Sequence, residues 1–105
     1  MRVLVQTALA AVLVGVAGCS SSGSAELDGA TLLGPSELAV DVLTCNADLT
    51  TIVEESDTEV RIEVTYENNT DDDCRDAVLI SLESPLGDRS VVDGVSSQEL
   101  RVAGR

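Results

Sequence analysis

The sequence contains no histidine, no lysine, no phenylalanine and no tryptophan, and its single aromatic residue is Tyr66. Each absence closes off a chemistry. Without histidine the commonest general base is missing, and no Ser-His or Cys-His pair can activate a nucleophile. Without lysine, Schiff-base chemistry and serine-lysine dyads are excluded. Paired carboxylates can hydrolyse glycosides unaided, but the clefts that hold such substrates are usually lined by aromatic rings. Composition therefore points away from an enzyme. It also dictates an aliphatic core of Val, Leu, Ile and Ala, because the side chains that normally bury the most area are lacking.

Basic residues are scarce as well. Six arginines stand against 19 acidic residues, for a net charge of −13, and no acidic residue precedes Glu26. Such a surface repels polyanions, which argues against nucleic-acid binding. It favours a soluble monomer, repels anionic lipid headgroups, and is complementary to a basic envelope partner.

The N-terminus is different in kind. Arg2 precedes an apolar stretch from Val3 to Val14, and Val16-Ala17-Gly18-Cys19 follows. The positive start, apolar run and small residues are the three parts of a secretory leader. The tetrapeptide, an aliphatic residue and two small ones before cysteine, resembles a bacterial lipobox. That resemblance implies cleavage after Gly18 and a diacylglyceryl thioether on Cys19. It implies location on the extracytoplasmic face of the cell membrane. Each buried methylene of an acyl chain contributes about 0.8 kcal/mol, so two or three chains make the attachment lasting. Two alternatives fit less well. A retained membrane helix needs roughly 20 apolar residues, more than Val3 to Gly18 supply, and no basic cluster follows Cys19. An ordinary leader with an unmodified Cys19 leaves the complete lipobox match unexplained.

The expected organisation is a signal peptide over 1–18, a lipidated N-terminus and flexible tether over 19–36, and a small β domain over 37–105. Ser20 to Ser24 has tether composition, and Gly34-Pro35 closes the segment. With Cys19 acylated, Cys45 and Cys74 remain as an even pair in an exported chain, which reads as a disulfide. A small aliphatic domain needs such a staple.

Beyond Ser36 the hydrophobic period is two. Strands are expected over Glu37–Cys45, Leu49–Glu54, Glu59–Glu67, Ala77–Ser84, Arg89–Val92 and Glu99–Val102. Val60, Ile62, Val64 and Tyr66 share one face of the third. Leu79 falls on the face opposite Val78, Ile80 and Leu82, which predicts that part of this strand is covered on both sides. Glu55 to Thr58 reads as a hairpin loop, and Ser84-Pro85-Leu86-Gly87 as a turn with proline second. The expected fold is all-β, a small antiparallel sandwich or open barrel of five to six strands with one disulfide.

The best candidate site is the acidic loop 68–76. Hard cations such as Ca²⁺ take carboxylate and carbonyl oxygens, and Asp71, Asp73 and Asp76 are the residues that would supply them. The spacing fails the EF-hand pattern, since Asp76 stands sixth from Asp71 where glycine is required. A solvated loop beside a disulfide is the simpler reading. Glu54, Glu55, Asp57 and Glu59 form a second acidic group with the same ambiguity. Asn68-Asn69-Thr70 spells a glycosylation acceptor, a pattern that a bacterial lipoprotein seldom uses.

Overall fold

The computed structural model describes residues 22–70 and 72–105. The leader, Cys19 and Asp71 lie outside the described residues. Within them the chain is all β, with strands β1 (Gly23–Ser24), β2 (Leu27–Gly34), β3 (Glu37–Val42), β4 (Asp48–Glu55), β5 (Glu59–Glu67), β6 (Asp76–Ser81), β7 (Ser90–Asp93) and β8 (Val102–Ala103).

The strands form two sheets that share one core. In the first, β5 is central. It pairs antiparallel with the whole length of β4, from Asp48 opposite Glu67 to Glu55 opposite Val60. Its other edge is divided between β1, antiparallel at Thr65 and Tyr66, and β7, parallel at Glu59 to Ile62. The second sheet runs β6-β3-β2-β8, with β8 parallel to β2. The sheets are thus mixed, not purely antiparallel as the pattern suggested. Leu38, Val40 and Val42 of β3 and Val60, Ile62 and Val64 of β5 are all fully buried in one cluster. The alternating rows of the two sheets face each other, as in a sandwich. Tyr66 packs at the margin of this aliphatic cluster.

Four sequence expectations are corrected. The first concerns the tether. Gly23–Ser24 and Leu27–Gly34 are strands, so the folded region begins well before Glu37. Register shifts at Leu27/Gly29 and Leu32/Gly34 break the alternation of β2. Its core residues Leu27, Ala30 and Leu32 are therefore unevenly spaced, which hides the strand from a period-two search.

Leu79 is 79% exposed instead of covered, because nothing among the described residues packs on the outer face of β6. The turn after β6 closes from Leu86 to Arg89 by an N–H to carbonyl bond, two residues later than Pro85 suggested. Leu86 is buried and its N–H reaches Pro35, while Gly87 supplies the positive φ that the displaced turn needs. Glu99 makes only a bridge to Val92, and the last strand is Val102–Ala103 in the other sheet.

The sandwich has two distinct ends. At the disulfide end lie the start of β1, the loop 43–47, residues 68–70 and 72–75, and the meeting of Asp48 with Glu67. At the hairpin end lie the β4–β5 turn, the loop 82–89 and the C-terminal Arg105, whose guanidinium donates to the carbonyls of Gly87 and Arg89.

Candidate functional site

Cys45 and Cys74 form the disulfide, with Cα atoms 5.1 Å apart across 29 positions. It ties the loop leaving β3 to the loop entering β6. Cys45 is buried and Cys74 exposed. The polar residues around it complete a hydrogen-bonded knot. The Cys45 N–H donates to Asn69 Oδ1 at 2.8 Å, and the Thr70 hydroxyl and N–H both donate to the Cys45 carbonyl. Asn68, at φ 58°, donates through Nδ2 to Asp48 Oδ2 at 2.8 Å. Each residue of Asn68-Asn69-Thr70 therefore has a structural role that composition alone did not disclose.

Asp76, one of the three carboxylates singled out for a cation, is bound by the same knot. Its Oδ2 accepts from the Thr44 hydroxyl at 2.6 Å and the Ala47 N–H at 3.1 Å, and its Oδ1 accepts from the Asn46 N–H at 2.9 Å. The Thr44 hydroxyl, the strongest influence, and the Ala47 and Asn46 N–H groups together outweigh the opposing effect of burial and hold the Asp76 carboxyl below its ordinary value. These donors fix the turn in which Asn46 takes φ 54°. Asp73 is exposed, and Asp71 lies outside the described residues. Among the described residues no three His, Cys, Asp or Glu side chains come together as a metal site. The nearby Arg75 pairs with Asp28 of β2.

At the hairpin end an open groove of about 760 Å³ runs between the β4–β5 turn and the loop 82–89. Its floor is built by Arg89. Nε donates to the Leu86 carbonyl, Nη1 to Glu55 Oε1 and the Ser56 carbonyl, and Nη2 to the carbonyls of Ser84 and Pro85. All five N–H donors of the guanidinium are thereby engaged. The other Glu55 oxygen accepts from the Glu83 N–H at 2.7 Å. That backbone donor, with the Arg89 guanidinium, holds the Glu55 carboxyl below its ordinary value despite partial burial. The second acidic group is dispersed in the same way, since Glu59 pairs with Arg61 at 3.0 Å.

Sequence reasoning missed a third node. Asp93 is 3% exposed, and its carboxylate faces three backbone donors, Leu27 at 3.4 Å, Val95 at 2.9 Å and Ser96 at 3.3 Å. It joins β7 of one sheet to β2 of the other. Nothing local in the sequence signals the reach to Leu27, 66 positions away.

Every buried or half-buried charge described above is satisfied by protein groups, so the arrangement is suited to holding loops in place. Among the described residues no helix is long and apolar enough to cross a membrane. No protein-family model, curated protein or solved structure matches this chain.

Proposed function

We propose that the protein is a lipid-anchored domain on the extracytoplasmic face of the cell membrane, acting by binding or structural presence and not by catalysis. The observation that carries this reading is the complete lipobox at Val16 to Cys19, set after an apolar leader and immediately before a folded domain. The Cys45–Cys74 disulfide supports it, because such bonds persist in oxidising compartments outside the cytoplasm. The lack of His and Lys supports a non-catalytic role. So does the engagement of Arg89, Asp76 and Asp93 with loop backbone, which leaves their charges committed to the fold.

The test is mass spectrometry of the membrane-extracted protein beside the variant Cys19→Ser. The native chain should begin at an acylated Cys19 and fractionate with the membrane. The variant should carry no lipid and leave the membrane fraction on processing. A Cys19→Ser chain that stays with the bilayer, uncut and unmodified like its parent, overturns the proposal.

A further inference from the structure

The first sheet ends on a long free edge. β4 pairs with β5 on one side, and among the described residues no strand pairs with its other side. The carbonyls of Val64 and Ile62 accept from the N–H groups of Ala25 and Gly94, so these two residues of β5 turn away from β4. The ladder between the strands therefore runs through Asp48, Thr50, Ile52 and Glu54. Leu49, Thr51 and Val53 are left with N–H and C=O turned to the open side.

Native sheets blunt such an edge with proline, lysine, a bulge or a short strand. β4 has none of these. It is eight residues long, without Pro, Gly or Lys, and its register to β5 is continuous. β6, the free edge of the second sheet, is shorter, and its outer row of Ala77, Leu79 and Ser81 carries no charge to select a partner.

The two sides of β4 differ in chemistry. Leu49 and Val53 face inward and are half-buried against the core. Asp48 and Glu54 face outward, and the register sets Asp48 directly opposite Glu67. Like charges in that position repel. Both carboxylates are exposed, and Asp48 accepts from the neutral Asn68 amide, which leaves the charge of the pair uncompensated. Among the described residues no arginine pairs with either. Arg61, Arg75 and Arg89 hold Glu59, Asp28 and Glu55, and Arg105 donates to backbone carbonyls. Asp48 and Glu67 line a hollow of about 450 Å³ that reaches Thr50 and Thr65 on the same outer face.

We infer that the β4 edge takes up an extended basic segment of a partner polypeptide as an added strand. The backbone of the segment pairs with Leu49, Thr51 and Val53. Its side chains alternate, apolar beside Leu49 and Val53 on the inner side, arginine or lysine on the outer side. One cation enters the hollow at Asp48 and Glu67, and a second meets Glu54. A second copy of this chain is the wrong occupant, because it brings the same carboxylates and a net charge of −13 to the junction. This deepens the binding role proposed above and rests on that reading.

The probe is a fluorescein-labelled peptide amide, Lys-Val-Lys-Val-Lys-Val-Lys-Val, titrated by anisotropy against the full chain extracted in non-ionic detergent. It should bind, and two changes to the protein should each weaken it about tenfold. Thr51→Pro removes an N–H turned to the open side and keeps the bonds to β5. Asp48→Asn with Glu67→Gln removes two exposed charges, together worth about tenfold in affinity, and keeps an acceptor for Asn68. Thermal melts establish that each variant retains the parent fold. The same peptide N-methylated at every valine keeps its charge but loses the N–H groups that pair with β4, and should bind at least about tenfold more weakly. Either variant binding like the parent, or the N-methylated peptide binding like the unmodified one, overturns strand addition. So does a chain that sediments as a dimer and becomes a monomer on Thr51→Pro, because a second copy then holds the edge. The mass of Cys19 in the same preparation separates the two readings. An acylated chain that does not bind the peptide overturns the added strand alone. An unmodified chain that binds overturns the anchor alone, and one that does not bind overturns both.

Discussion

The Thr44 hydroxyl donates to Asp76 Oδ2 at 2.6 Å, joining segments 32 residues apart beside the disulfide. Because this bond and two N–H donors favour the ionised carboxylate, the folded state holds Asp76 below its ordinary pKa. The sign follows from linkage. A carboxyl with a lower pKa in the folded than in the unfolded chain adds stability above its unfolded value, and that stability is lost as pH falls through the folded value. For Asp76 the loss begins near pH 4, about the unperturbed carboxylate value, and deepens below it. Protonation of the other carboxylates relieves self-repulsion over the same range, so the comparison with Asp76→Asn isolates the term. Urea titrations should show the variant less stable at pH 7 by roughly 1 kcal/mol, the worth of charge-assisted bonds discounted for partial exposure. The gap should close by pH 3. A gap unchanged with pH refutes the assignment.

The reach of the sequence is clearest in β5, where Val60, Ile62 and Val64 alternate with Glu59, Arg61, Glu63 and Thr65 without interruption. One buried face and one wet face make that alternation compulsory. β3 was legible for the same reason, and the cysteine pair followed from parity in an exported chain. β2 was not, because its two register shifts put Leu27, Ala30 and Leu32 on one face at unequal spacing. The parallel pairings of β7 and β8 depend on partners distant in the chain, which no local pattern encodes. The acidic loop was visible as charge. Its roles were not, since Asp76 acts on a turn 30 residues earlier and Asn69 on Cys45. Cys19 and Asp71 lie outside the described residues, so the anchor is read from sequence alone.

Arg89 invites a substitution that separates charge from geometry. Its side chain is 11% exposed, and five donors hold four carbonyls and Glu55. Arg89→Lys keeps the charge but lacks the planar fork, so it should restore only a minor part of the loop's bonding. Arg89→Ala should lower stability by roughly 2 kcal/mol, and Arg89→Lys by more than half as much. Denaturant midpoints measure both. A lysine variant as stable as the parent would show that the charge alone suffices.

The disulfide closes a loop of about 30 residues, worth roughly 3.6 kcal/mol by restriction of the unfolded chain. Cys45→Ala/Cys74→Ala should fall by about that amount, or unfold outright at 37 °C, because a small aliphatic domain has little stability to spare. Reduction of the parent should produce the same shift in its melt. The Asn69 and Thr70 bonds to Cys45 are backbone-directed at that residue and survive the change to alanine. A shift below 1 kcal/mol, roughly, would mean that these bonds already close the loop without the sulfur bridge.

Leu79 and Ile80 are neighbours on β6, with exposures of 79% and 5%. The pleat sends one outward opposite Ala39 and the other into the core opposite Leu38. Truncating Ile80 to alanine should cost about 3 kcal/mol, the transfer and cavity terms of a buried aliphatic side chain. Leu79→Ser should change stability by less than about 0.5 kcal/mol, as at any surface site without a special contact. The paired melts decide whether the outer face of β6 is bare in solution. A large loss from Leu79→Ser would place a covering element over that face, restoring the two-sided burial that the apolar run in the sequence suggested. A small loss, with the expected large one at Ile80, establishes β6 as an edge strand buried on one side only.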